Sequence, residues 1–177
     1  MPINRRKFIQ STALAGAGVA FSSSTLNATQ SETKSKSSKT KANIGIIGSG
    51  FRGQSHIDLL LNRVDCEVVA VADIDERMIG RTKAIFEKHG KQQPKYFTSG
   101  PHDYKNLLQL DDLDAVMIAT PWEWHTVQSI AAMKAGIYVG TEVCGAFSVD
   151  ECWQLVNTHE ETGTHLFFWK MYVIVEM

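Results

Sequence analysis

The stretch that most constrains this chain is "ANIGIIGSGFRGQSHIDLLLNR", residues 42–63. A β-branched run from Asn43 to Ile47 meets a glycine cluster and continues with Ile57, Leu60 and Leu61 at helical spacing, the pattern of strand, tight turn and helix. The cluster is Gly48-Ser49-Gly50-Phe51-Arg52-Gly53, a G-x-G-x-x-G. In such a turn the first glycine permits the bend and the second lets backbone approach a pyrophosphate. The third lets the helix pack on the strand, while N–H groups at the helix start attract the anion. Glycine clusters also mark ordinary loops, so the pattern needs its context.

That context is "CEVVAVADID", a second apolar strand ending on Asp73, 23 residues beyond Gly50. This is close to the spacing of a carboxylate that binds a ribose. An acid there accepts hydrogen bonds from both ribose hydroxyls and repels a 2′-phosphate, which makes NAD the expected cofactor rather than NADP. Asp73 is also placed to cap the next helix, and the two roles are compatible.

Strands and helices then alternate. "DAVMIATP" is expected as a third strand, "TVQSIAAMKAG" as a helix closed by Gly136, and "IYVGTE" as a strand. "SVDECWQLVNTHEETG" is expected as a helix capped by Ser148 and stopped by Gly163, followed by the strand "THLFF"; a short strand near Tyr96 and Phe97 precedes a helix in "HDYKNLL". This order predicts an α/β fold, a Rossmann-like doubly wound parallel sheet over residues 43–168, with ligands at the carboxyl ends of the strands.

Unusual residues gather at those ends. The third strand runs into "ATPWEWHT", with Trp122, Glu123, Trp124 and His125 together. Tryptophans there serve either as apolar plugs under a loop or as ligand walls, and His125 serves either as a helix-start residue or as part of the site. The position favours the ligand reading. The fourth strand runs into Glu142, Val143 and Cys144.

Composition excludes other classes. Residues 43–177 carry 11 Lys and Arg against 18 Asp and Glu, so the domain has no general attraction for nucleic acid. Cys66, Cys144 and Cys152 have no metal-ligand spacing, and neither a disulfide framework nor a metal site is expected. Arg5, Arg6 and Lys7 precede a short apolar run, Ser11 to Phe21, the layout of an export signal of the twin-arginine type. Residues 1–28 are expected to be that signal, with Leu26-Asn27-Ala28 or Ser22 to Ser24 as the small-residue cleavage site, the export machinery as partner and the periplasm as destination. Residues 29–42, rich in Ser, Thr and Lys, are expected to be a disordered linker.

Residues 42–168 resemble the nucleotide-binding domain of the Gfo/Idh/MocA oxidoreductases, through "NIGIIGSGFRG", "AVAD", "ATPWEWH…AAMKAGIYV" and "TEVCGAFSVDE". Sugar dehydrogenases of that family usually carry Glu-Lys-Pro in the last element, with the lysine as acid/base partner; Val143 stands in its place here. Trp-Glu-Trp-His together with Glu-Val resembles the glycoside hydrolase family 109 branch, NAD-dependent α-N-acetylgalactosaminidases that often carry export signals. The resemblance implies that Gly48, Gly50, Phe51, Arg52, Gly53, Asp73, Trp122, Glu123, Trp124, His125, Glu142 and Val143 face NAD, and that terminal α-N-acetylgalactosaminyl glycans are the substrates. It also implies a cycle of oxidation at the sugar C3, elimination, water addition and reduction, unlike the two-carboxylate route of most glycosidases. A sugar oxidoreductase of the wider family and an NAD-binding module without catalysis are the alternatives.

The resemblance implies that the chain of a family member continues into a second α/β domain and that the substrate-facing Tyr and His come from residues after the nucleotide domain. Residues 169–177, "WKMYVIVEM", do not match the family segment Met-Glu-Asn-Val-Cys-Tyr-Arg-Arg-Asp-Val-Met. A coding of that segment with its first base deleted, TGG AAA ATG TAT GTT ATC GTC GAG ATG TAA, yields all nine residues and a stop. The expectation is an out-of-frame tail after Phe168 and a fragment lacking the second domain, with the catalytic residues outside the readable sequence.

Overall fold

The computed structural model describes residues 40–169. The expected signal and most of the expected linker lie outside them, as does the tail from residue 170. Among the described residues there are six strands: β1 (Ala42–Ile47), β2 (Cys66–Ala72), β3 (Lys95–Phe97), β4 (Ala115–Ile118), β5 (Tyr138–Glu142) and β6 (Leu166–Trp169). The helices between them are α1 (Phe51–Leu61), α2 (Glu76–Lys88), α3 (Tyr104–Leu107), α4 (His125–Lys134) and α5 (Val149–Thr162), with a single 3₁₀ turn at Trp122–Trp124.

All strands pair in parallel, in the order β3-β2-β1-β4-β5-β6. Chain order reverses between β1 and β4, which opens a crevice at their carboxyl ends. Strand side chains alternate between the two faces of the sheet, and helices cover both, so both faces are apolar. Ile46 and Val71 pack with Ile57, Leu61, Ile79 and Phe86 from α1 and α2. Ile47, Ala70 and Ala72 pack with Tyr104, Leu107, Met133 and Leu155 from α3, α4 and α5.

Two boundaries differ from expectation by one residue. Ala42, assigned to the linker, is the first residue of β1. Strand β6 runs through Trp169, which pairs with Glu142 one residue beyond the expected end of the fold at Phe168.

Side-chain caps mark the starts of α2 and α5. Asp75, not Asp73, caps α2 by accepting from the Arg77 amide. The Arg77 guanidinium bonded to the Asp75 carboxyl holds it well below the usual carboxylate range, at about 2. Ser148 and Glu151 form a reciprocal capping box at the start of α5, and Gly163 ends that helix at φ 68°. Ser148→Ala is expected to remove about 1 kcal/mol of stability, read as a lower midpoint in urea with an unchanged slope.

Candidate functional site: the crevice at the strand ends

The glycine turn is built by close approach. Gly48 has φ 90°, and a Cβ on it would lie 2.8 Å from the Ala119 carbonyl carbon and the Thr120 nitrogen at the end of β4. A Cβ on Gly53 would lie 2.0 Å from the Gly48 carbonyl oxygen, so α1 sits directly on the turn. Gly50 differs: its φ is −63° and a Cβ there meets nothing within 4 Å. It lines an open crevice and supplies no side chain to cap α1. The positive end of the helix therefore borders empty space at the point where an anion would bind.

Asp73 leaves β2 beside this turn. Its Oδ2 accepts from the Ser49 amide at 2.6 Å and from the Ser49 hydroxyl at 3.0 Å. Its Oδ1 accepts from the Asp75 amide at 2.8 Å. Three donors fix the orientation of the carboxylate. Asp73, Gly48 and Gly50 line a cavity of about 290 Å³ with Ile74, Pro101 and Trp124. Its apolar walls and single carboxylate suit a nucleoside.

The four residues of "WEWH" do not act as one group. Trp122 is 58% exposed and lies beside Phe147, ring centroids 6.3 Å apart. Glu123 is exposed. Trp124 lines the cavity and meets His102 edge-on at 5.6 Å. His125 is 0% exposed, its Nδ1 2.9 Å from the Cys144 carbonyl and its Nε2 2.9 Å from the Thr120 carbonyl. The ring thereby links the segments that follow β4 and β5.

Glu142 closes β5, 8% exposed. Its Oε1 is 2.8 Å from His56 Nε2 and 3.7 Å from Arg52 Nε, which ties α1 to β5. Phe51 and Val143 are both exposed. His56 was not among the residues singled out from sequence. The available signal was a histidine four residues after Arg52, on the same helical face, followed at once by the buried Ile57.

The profile of the oxidoreductase family with an NAD-binding Rossmann fold, GFO_IDH_MocA, matches residues 42–169. The chain belongs to the Gfo/Idh/MocA family. Its cofactor is NAD, and the Gly50 gap, the Ser49–Asp73 hook and the apolar cavity fit that dinucleotide. Among relatives of this Gfo/Idh/MocA domain, a glycosyl hydrolase family 109 protein of Parabacteroides distasonis is 38% identical over 175 residues. An α-N-acetylgalactosaminidase of Tannerella forsythia is 36% identical over 178 residues. Each alignment covers 94% of this chain and 38% of the relative, so the chain spans well under half the length of these proteins. Among solved structures, the WlbA dehydrogenase of a Chromobacterium, in complex with NADH and UDP-GlcNAcA, superposes with a TM-score of 0.62 at 26% identity. That superposition covers 75% of this chain and 36% of the other.

Proposed function

We propose that the chain is the NAD-holding part of a glycosidase that removes terminal α-N-acetylgalactosamine through transient oxidation of the sugar. The observation that carries the reading is Val143. It follows Glu142 directly at the crevice end of β5 and is 48% exposed, where a sugar dehydrogenase of the resembled type presents its lysine. A valine neither takes nor gives a proton, so this strand end positions without acid/base work. The names of the relatives point the same way.

Bound NAD supplies a hydride acceptor that is restored within a turnover. The residues of this chain bind and orient. Asp73 accepts from the adenosine ribose, the Gly50 turn admits the pyrophosphate, Glu142 faces the second half of the dinucleotide, and Phe51, Trp122 and Val143 wall the crevice mouth. The proton acceptor for a sugar C2–H is supplied by residues beyond this strand end. Export through the twin-arginine route fits this assignment, because that route carries folded proteins and cofactor regeneration in place needs no cytoplasmic pool.

A protein in which this segment is joined to the remaining length of its family 109 relatives tests the proposal. Release of nitrophenol from an aryl α-N-acetylgalactosaminide without added NAD is expected. Net NADH formation from free sugars with no glycoside cleavage would overturn it in favour of a sugar oxidoreductase, the reading that the WlbA-like fold favours.

A further inference from the structure

The sheet has two halves running outward from the β1/β4 seam, β1-β2-β3 and β4-β5-β6. In the first, a carboxylate follows the second strand: Asp73 after β2. In the second, a carboxylate closes the second strand: Glu142 on β5. Each is held by a donor from the segment that follows β1. Ser49 holds Asp73 through its amide and hydroxyl, and His56 holds Glu142 through Nε2. A dinucleotide lies across such a seam with one nucleoside over each half. With Asp73 on the adenosine ribose, the ribose of the nicotinamide half falls to Glu142.

We propose that His56 is a positioning residue for that second ribose. Facing a carboxylate oxygen at 2.8 Å, Nε2 carries the proton and donates to Oε1. The His56 and Glu142 side chains are 7% and 11% exposed, so the carboxylate depends on protein donors for its orientation. Arg52, one turn earlier on α1, stands at 3.7 Å from the same oxygen and does not replace a direct hydrogen bond. In this role His56 acts through the Glu142 carboxylate. It fixes that group, and it links the helix under the pyrophosphate to the strand under the nicotinamide.

The test separates the two halves of the ligand on the full 177-residue chain. NADH spans both riboses, whereas ADP carries only the adenosine one. His56→Ala is expected to weaken NADH about tenfold, the worth of one charged hydrogen bond, and to leave the ADP dissociation constant within about twofold. His56→Gln, whose amide donates from a similar reach, is expected to recover most of the NADH affinity. His56→Asn, which ends short of Oε1, is expected to fall with alanine and provides a second polar variant should alanine not yield folded protein. In a Glu142→Gln background, His56→Ala is expected to weaken NADH little further. Equal losses of NADH and ADP, or no loss of NADH, would overturn the proposal, and neither result bears on whether the parent enzyme cleaves glycosides.

Discussion

Gly53→Ala is expected to lower Tm by about 10 °C and to abolish measurable NADH binding, while Gly50→Ala is expected to abolish binding with Tm nearly unchanged. The difference follows from what each new methyl meets. At 53 it would lie 2.0 Å from the carbonyl oxygen of Gly48, a backbone atom with no rotamer to yield. Relief requires α1 to lift from the turn, carrying Ile57 and Leu61 out of their contacts with β1 and β2. Overpacking of that kind costs about 3 kcal/mol, which for a domain of this size corresponds to roughly 10 °C. At 50 the methyl meets nothing within 4 Å and the backbone angle suits any residue, so the fold has no reason to change. The space it fills is the approach to the pyrophosphate. Calorimetry with NADH fluorescence on the two variants checks both halves. Equal melting of Gly53→Ala and the parent chain would show that α1 does not rest on the turn.

Asp73→Asn is expected to weaken NADH by about 10–100-fold and to narrow the preference for NADH over NADPH. The carboxylate accepts from the Ser49 amide, the Ser49 hydroxyl and the Asp75 amide. It is thus a fixed negative charge at the edge of the nucleoside cavity, and each charged hydrogen bond to a ribose hydroxyl contributes about 1.5–3 kcal/mol. Asparagine keeps the shape and one acceptor but loses the charge that repels a 2′-phosphate. NADPH affinity should hold or rise as NADH affinity falls. Parallel losses for both nucleotides would mean that Asp73 serves only to hold the turn through Ser49. Fluorescence titrations with the two reduced nucleotides at one ionic strength make the comparison.

Much of the first half of the site was legible because it is local in sequence. Gly48, Gly50, Gly53 and Asp73 declare themselves through spacing, since strand, turn and helix lengths are set by backbone geometry. The alternating order of strands and helices led to the parallel sheet for the same reason. What sequence left open was decided by packing. Spacing alone points to Asp73 as a helix cap, whereas the turn of the backbone assigns the cap to Asp75 and the Ser49 hook to Asp73. The four residues "WEWH" look like one ligand wall, yet their environments differ: Trp122 is exposed beside Phe147, Trp124 lines the cavity, and His125 is buried against the Thr120 and Cys144 carbonyls. His56 and Glu142 are 86 positions apart. No local period relates a residue on α1 to one on β5, so their pairing appears only once the sheet is assembled.

The sheet order also bears on how such a domain comes together. The central strand β1 is made first, but one of its neighbours, β4, lies far downstream: Asn43 bonds Asp114 across 71 positions. At about 5–20 residues per second of synthesis, one edge of the innermost strand stays without its partner for several seconds after the strand emerges. The glycine turn is in the same position, because Gly48 packs on Ala119 and Thr120. The nucleotide site cannot mature from its own motif alone. Its completion waits on non-local pairing of the slow kind, and until β4 arrives the edge of β1 is open to chaperones or to a neighbouring copy.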